Sequence, residues 1–414
     1  MRGDNENRMK SFFQISVNIL LLGLVSFLTD TSSEMIFPIL PFFIATLGGT
    51  ELAIGLIGGL GDSVASVLKV FSGYWSDKSG KRKIFVSSGY LASSVSKLFL
   101  FFSGVWQHVL ALIPLERVGK GLRTAPRDAM IADYSKEEVR GKAFGLHRAL
   151  DTGGAIVGSA LALILFWFVN LEFKVIIFLA AFVAFSALIP LYFVRERRAE
   201  ARKVTLRISL AGLPCPLRLF IAIATVFALG NFTYMFFLLR AQQLFAELLT
   251  ERTAFAMSML LYIWFNVVYA SLSFPMGILS DKMGRRVILS IGYLLFGLTC
   301  IGFAFSFSLV SLIVLFTLYG LFHATVEANQ RAFISDLAPK ELRGTALGTF
   351  HTTIGLATLP SGVIAGALWQ YVNPAAAFLY GSALGFFAAS LLMLKKVTRG
   401  KTHIRNRSSL SSLP

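Results

Sequence analysis

The chain has 414 residues, is 55% hydrophobic and only 15% charged, and carries 39 Phe. A soluble chain carries about 25% charged residues, so this composition excludes a water-soluble globular enzyme and calls for a polytopic membrane protein. The net charge of +17 invites a nucleic-acid reading, but the basic residues gather in alternate loops, as membrane topology requires.

A bilayer crossing needs about 20 apolar residues, and the apolar runs predict twelve helical spans. The first six cover 12–46, 52–76, 84–105, 109–133, 140–168 and 173–194; the second six cover 217–246, 253–279, 287–306, 309–336, 342–371 and 374–394. The expected units are an N-terminal six-helix bundle over 1–194, a cytoplasmic linker over 195–216, and a C-terminal six-helix bundle with a basic tail over 217–414. Several runs exceed 20 residues, which implies tilt or extension beyond the bilayer. The first run lacks a small-residue cleavage site and reads as a true span. Pro38 and Pro41 in span 1 and Pro360 in span 11 are expected to kink or end their helices. Gly55, Gly58, Gly59 and Gly61 in span 2 have the small-residue spacing that lets membrane helices approach closely.

The loops sort by charge. Lys78, Lys81, Arg82 and Lys83 follow span 2; Lys136, Arg140 and Lys142 follow span 4; Arg195, Arg197, Arg198, Arg202, Lys203 and Arg207 fill the linker. Lys282, Arg285 and Arg286 follow span 8, Lys340 and Arg343 follow span 10, and Lys395, Lys396, Arg399 and Lys401 begin the tail. The intervening loops are short and nearly free of Lys and Arg, so both termini are expected in the cytoplasm. Cys215 and Cys300 fall in different halves and read as neither a disulfide nor a metal site.

Two stretches are versions of each other. Gly73-Tyr-Trp-Ser-Asp77-Lys78-Ser-Gly80-Lys81-Arg82 returns as Gly277-Ile-Leu-Ser-Asp281-Lys282-Met-Gly284-Arg285-Arg286, Asp77 to Asp281 being 204 positions. Ile131-Ala-Asp133 through Arg140-Gly141 returns as Ile334-Ser-Asp336 through Arg343-Gly344, here with Arg140 to Arg343 at 203. Two motifs at one offset mark a parallel duplication, which in a very apolar chain points to a transporter with its site between the halves.

The repeated Gly-x-x-x-Asp-Lys-x-Gly-(Lys/Arg)-Arg resembles the loop motif of the major facilitator superfamily of secondary transporters, and it stands after spans 2 and 8, where that family carries it. The resemblance covers essentially the whole chain and implies an all-α fold of twelve transmembrane helices in two pseudo-symmetric six-helix bundles. Arg117-Val-Gly-Lys120-Gly121 in span 4 is similar to the family's Arg-x-x-Gln-Gly, with Lys for Gln, and implies a part for Arg117 in proton coupling. Span 5 has Gly145, Gly154 and Gly158 at the antiporter-motif spacing, but Ser159 replaces the motif's Pro and Ala162-Leu163 its final Gly pair. Asp30-Thr-Ser-Ser-Glu34 and Arg123-Thr-Ala-Pro-Arg127-Asp128 resemble a poorly characterised prokaryotic subgroup, which fixes no substrate.

Ionisable residues at bilayer depth cost about 2.5–3.5 kcal/mol each, which makes them functional candidates. Asp30 and Glu34 are one turn apart in span 1, and two close carboxylates disfavour double ionisation; both are proton-coupling candidates. The alternative is a fixed pairing with an Arg or Lys of a neighbouring span. Arg117, Lys120, Arg123 and Arg127 of span 4 read as a basic stripe, with Glu116 and Asp128 paired locally. Arg suits a carboxylate or phosphate ligand. The substrate-binding set is Lys97, Lys120, Arg123, His147, Arg148, Asp151 and Glu327, with Arg148 and Asp151 spaced to pair and His147 either a proton relay or a helix-end hydrogen bonder. Lys69 is expected to snorkel to the cytoplasm, and the aromatic residues of the second half, Tyr262 and Tyr269 among them, to form an apolar wall. The gating set is Gly73, Asp77, Gly277 and Asp281 of the loop motif with Arg127, Asp128 and Arg331; Arg127 and Asp128 are expected to pair with Asp77, and Asp77 and Asp281 to accept from helix N-termini across the halves.

The expected function is secondary active transport of a small organic solute across the inner membrane. The solute is anionic, a carboxylate or siderophore-like compound, and moves by alternating access with protons. Uptake is favoured because the antiporter motif is degraded. The competing readings are proton-coupled efflux of drugs or metabolites and, from another class, a lipid flippase or a non-transporting receptor. No paired-His metal motif, Gly-x-Ser-x-Gly or P-loop occurs, so the chain is expected not to be an enzyme and to need no cofactor or metal. The expected partners are the solute, protons and membrane lipids, with no nucleic acid, and the chain is expected to be a monomer.

Overall fold

The structure is a computed structural model that describes residues 16–136, 139–196, 208–306, 308–339 and 342–394. Arg197, Arg198, Arg202, Lys203 and Arg207 of the linker, Lys340, and the basic tail from Lys395 lie outside the described residues. Among the described residues the chain is all-helical. Span 1 comprises α1 (Val17–Ile36) and α2 (Leu40–Thr46); spans 2 to 5 are α3 (Glu51–Ser79), α4 (Arg82–Phe101), α5 (Trp106–Tyr134) and α6 (Arg140–Trp167). Span 6 comprises α7 (Phe173–Ser186) and α8 (Leu188–Phe193), and span 7 comprises α9 (Cys215–Gly230) and α10 (Met235–Ala246). Spans 8 to 12 are α11 (Glu251–Met283), α12 (Arg285–Ala304), α13 (Leu309–Leu337), α14 (Arg343–Tyr371) and α15 (Pro374–Leu394).

Eleven of these spans are long and apolar enough to cross a membrane. The twelfth, span 4, has 29 helical residues, and its charged side chains lower its mean hydropathy. Those charges are tolerated because most of them turn away from lipid: Glu116, Arg117 and Arg123 are all buried.

Spans 1 to 6 pack chiefly on one another, through the seams 1–5, 2–4, 3–4 and 3–6; spans 7 to 12 do the same through 9–12, 8–10, 9–10 and 7–12. The two sets meet along spans 2 and 11 and along spans 5 and 8. Glycine makes the first of these seams possible. A Cβ on Gly55 would run into the carbonyl of Gly362, and one on Gly59 would lie 2.7 Å from the Thr358 carbonyl. The backbones therefore touch directly.

The first helices of the two sets are both interrupted, and the interruptions meet. Pro41 has no N–H to give the Phe37 carbonyl, so that oxygen takes the Leu40 N–H (3.3 Å) and, from span 7, the Tyr234 hydroxyl (3.1 Å). Pro360, by contrast, sits inside an unbroken helix in span 11.

The duplicated loop motif closes each half on itself. Arg82 holds Asp77 (3.2 Å) and Asp133 at the end of span 4, while Lys83 caps span 6 at the carbonyls of Tyr192 (3.1 Å) and Val194 (2.6 Å). In the second half Arg285 holds Asp281 (3.0 Å) and Asp336, and Arg286 caps span 12 at the carbonyls of Leu392 (2.7 Å) and Met393. The structural counterpart of Arg82 is thus Arg285, not Arg286 as the sequence alignment implies. Gly80 is followed by Lys81 before its helix begins, whereas Gly284 (φ 92) directly precedes Arg285. That one-residue difference explains why the repeat offset is 204 before the loop and 203 after it.

Candidate functional site

Span 1 carries the centre of the site. Glu34 accepts from the Tyr262 hydroxyl of span 8 (2.9 Å) and the Ser159 hydroxyl of span 5 (3.4 Å), so one carboxylate joins the two halves. Lys120 and Arg117 are its neighbouring cations. Asp30, one turn along, faces Asp151 and has Lys120 and Arg123 as nearby cations. Lys120 itself is exposed and forms no ion pair within 4 Å among the described residues. It acts electrostatically on both span-1 carboxylates without being tied to either.

Around Asp151 a polar chain runs out toward the second half. Ser26 donates to Asp151 (2.7 Å) and accepts from Arg127 (3.1 Å); Arg127 pairs with Asp128 (3.1 Å); Arg148 pairs with Asp151 (3.2 Å). Arg148 also donates to the Tyr269 hydroxyl of span 8 (3.2 Å), which in turn hydrogen-bonds Glu327; Glu327 pairs with Arg331 (3.3 Å). Residues 127, 128, 148, 151, 327 and 331 therefore form one network across spans 4, 5, 8 and 10.

A second group surrounds Arg117. Its guanidinium lies 4.6 Å over the Phe37 ring, 3.7 Å from Glu116 and 4.0 Å from Asp62. Glu116 also accepts from Ser93 (2.8 Å). The side chain of Glu116 is only 5% exposed and that of Asp62 is 51% exposed, so Glu116 is the fixed partner and Asp62 the solvent-facing one. Asp62 lies eleven residues into span 2, about 16 Å along the helix axis. A carboxylate exposed at that depth, beside Arg117, fits a cleft open between the halves. Asp128, Arg148, Glu327 and Arg331 are exposed on the same cleft, with side-chain exposures of 42–57%.

The cleft opens toward the basic loops. At the other end the halves are closed by Arg252 on the Phe166 and Trp167 carbonyls (2.8 and 3.2 Å), by Phe42 against Phe255 (4.8 Å), and by Leu52 N–H on Gln370 (3.3 Å). Among the described residues, the hydrogen bond between the halves nearest the basic end is Arg148 to Tyr269. Spans 7, 10 and 11 add a side cavity of about 180 Å³ lined by Asn231, His323, Glu327 and Gln330 with Phe227 and Phe322. His323 sits in an aromatic cage of Phe265, Tyr269, Tyr319 and Phe322, and its Nε2 has no hydrogen-bond partner among the described residues.

Several expected positions fall elsewhere. The span-4 stripe is split in burial: Lys120 is exposed, while Arg123 is 3% exposed, 4.7 Å over the Tyr90 ring inside the first half. Lys97 is buried behind span 1, donating to Ser32 (3.0 Å) and Ser33 (2.8 Å). His147 is buried, with its Nε2 unpartnered among the described residues. Asp77 pairs with Arg82, not with Arg127 or Asp128, and among the described residues neither Asp77 nor Asp281 bonds across the halves. Gly73 lies within span 2, where a Cβ would meet Ala125 of span 4 at 3.3 Å, and Gly277 lies within span 8 with open space around it. Lys69 does not snorkel outward but has Arg331, Asp128 and Glu327 as neighbours. Asp62 and His323 escaped the sequence reading, and Tyr262 and Tyr269 contribute hydroxyls where an apolar wall was expected. The one signal for Asp62 was a lone acid among the glycines of span 2.

The profile of the Major Facilitator Superfamily matches residues 22–249 and again 219–412. An uncharacterised MFS-type transporter of Methanocaldococcus jannaschii is 48% identical over 394 residues, covering 95% of this chain and 97% of that protein. A protein of Aeromonas salmonicida named multidrug resistance protein MdtH is 25% identical, covering 85% of this chain and 86% of its own. The crystal structure of the nucleoside transporter NupG superposes with a TM-score of 0.71 at 16% identity, covering 91% of this chain and 98% of that one, a likeness of fold alone. The chain belongs to the Major Facilitator Superfamily; it is a multi-pass membrane transporter and not an enzyme.

Proposed function

We propose that the protein takes up a small organic anion, a carboxylate or siderophore-like solute, together with protons across the inner membrane. Residues 1–194 and 217–414 would rock about the cleft, with the basic end in the cytoplasm and the cleft in its inward-open state. One observation carries the reading: Lys120 is exposed, forms no ion pair within 4 Å among the described residues and acts electrostatically on both Asp30 and Glu34, while Glu34 is held across the halves by Tyr262. Protonating Glu34 removes a negative charge beside Lys120 and Arg117 and leaves their charge for a substrate carboxylate. Anion and proton then favour each other's binding, and the coupling is reciprocal. With only the empty and the doubly loaded carrier free to rock, the two travel together, which is symport. Asp30 beside Asp151 supplies a second protonation site. Arg148, Glu327 and Arg331 belong to the contact that must break and reform as the halves rock. A single chain supplies the whole cavity, so a monomer suffices.

The test is binding to the purified protein of organic acids and siderophores against organic cations, at acid and neutral pH. An anion should bind more tightly at acid pH, and Lys120→Gln should weaken it by roughly tenfold or more. Equal affinity of Lys120→Gln and wild type, or binding of cations alone, overturns the reading.

The competing reading is proton-coupled efflux. It is favoured by the multidrug resistance name of the Aeromonas relative and by the exposed Asp62, which suits a cationic solute. Loss of cation binding in Asp62→Asn, with Lys120→Gln unaffected, would support it.

A further inference from the structure

At the end away from the basic loops lies a second cavity, of about 500 Å³, which is within the usual range for a drug-sized ligand. Both halves build it. Phe43 comes from span 1, Phe166 and Phe173 from the junction of spans 5 and 6, and Phe255 from span 8. The floor is aromatic: Phe166 and Phe173 stack at 5.2 Å, and Phe255 stands edge-on to both, at 6.4 and 5.6 Å. The rim is charged. Glu172 and Lys174 come from the first half, Glu251 and Arg252 from the second. Arg252 is already engaged: it donates to the carbonyls ending span 5 and lies over the Phe166 and Trp167 rings, at 5.5 and 5.8 Å. Its charge also suits the negative end of that helix. Glu172, Glu251 and Lys174 form no ion pair within 4 Å among the described residues; the rim is neutral overall, with its two carboxylates open and the Arg252 guanidinium held on the span-5 carbonyls.

We propose that this cavity is a regulatory site for an aromatic organic cation, approached from the side opposite the basic loops and separate from the transport cleft. Its aromatic rings would fill the phenylalanine floor and its ammonium would meet Glu172 and Glu251. Because the walls come from both halves, the site exists only while that end is closed. A ligand that binds one of two conformations shifts the population toward it by its differential affinity. The cation therefore holds the cleft open at the basic end and inhibits transport without being carried. The step from binding to inhibition rests on the alternating-access reading above; the binding does not.

The experiment uses 3,3-diphenylpropylammonium with its neutral alcohol and its carboxylate analogue, on the full chain in detergent. Binding is followed by thermal shift and titration. The ammonium compound should bind and the other two should bind roughly tenfold more weakly or not at all. Glu172→Gln with Glu251→Gln should remove that preference, and Phe255→Ala should weaken all binding. Spin labels at Ser79→Cys and Met283→Cys, with Cys215→Ser and Cys300→Ala, should report a longer distance at the basic end when the cation is added. Absence of binding, equal binding of the alcohol, or an unchanged preference in the rim variants overturns the site. Binding with an unchanged or shorter label distance overturns the regulation while leaving the transport reading intact.

Discussion

Glu34 and Arg82 show how differently buried charges are used in this chain. Glu34 is shared by two hydroxyls and no cation within salt-bridge distance among the described residues, so it can change charge without breaking an ion pair. Glu34→Gln should preserve substrate counterflow but reduce proton-driven accumulation by roughly tenfold or more; unchanged accumulation in proteoliposomes removes Glu34 from coupling. Asp30→Asn should likewise abolish proton-driven accumulation while leaving counterflow measurable. Arg82 is a fixed structural charge, 7% exposed and tied to Asp77 and Asp133. Arg82→Lys keeps the charge but loses the two-sided guanidinium and should cost about 1.5–3 kcal/mol, the scale of a hydrogen bond to a charged group. Arg285→Lys, at a side chain 25% exposed, should cost about 1 kcal/mol or less. Unfolding temperatures of the purified variants check the order: equal effects would mean that burial does not set the strength of these pairs.

Among the helices, close approach and breaks decide what the cleft can do. Spans 2 and 11 touch through backbone at Gly55 and Gly362, so Gly55→Leu must push them apart. Overpacking costs about 1–3 kcal/mol, and here it falls on a contact between halves. Gly55→Leu should therefore lower transport more than it lowers the unfolding temperature, whereas Gly104→Leu, at a glycine with open space around it, should do neither. The sequence showed the helices well because twelve long apolar runs and a doubled loop motif are periodic, local signals. It showed the site less well. Lys120 and Arg123 share a three-residue spacing but differ in burial, because Arg123 packs on the Tyr90 ring of span 3. Tyr262 reads as packing until its partner, Glu34, is found 228 positions away. Asp62 has no sequence neighbour of chemical interest and gains meaning only beside Arg117. A link between distant helices leaves no local pattern to read.

At the scale of the molecule, duplication has produced matching scaffolds with different contents. Both halves staple their basic loops in the same way, Arg82 matching Arg285 and Lys83 matching Arg286. The charges around Asp30, Glu34 and Lys120 belong to the first half alone, and the second half answers with Tyr262, Tyr269 and the His323 cage. The symmetry serves the motion and the asymmetry serves the solute. The decisive measurement is flux in proteoliposomes under an imposed proton gradient, with matched panels of labelled organic anions and cations. An organic anion should accumulate down the proton gradient, and both Glu34→Gln and a protonophore should abolish the accumulation. Movement of cations only, against the direction of proton flow, would contradict the account.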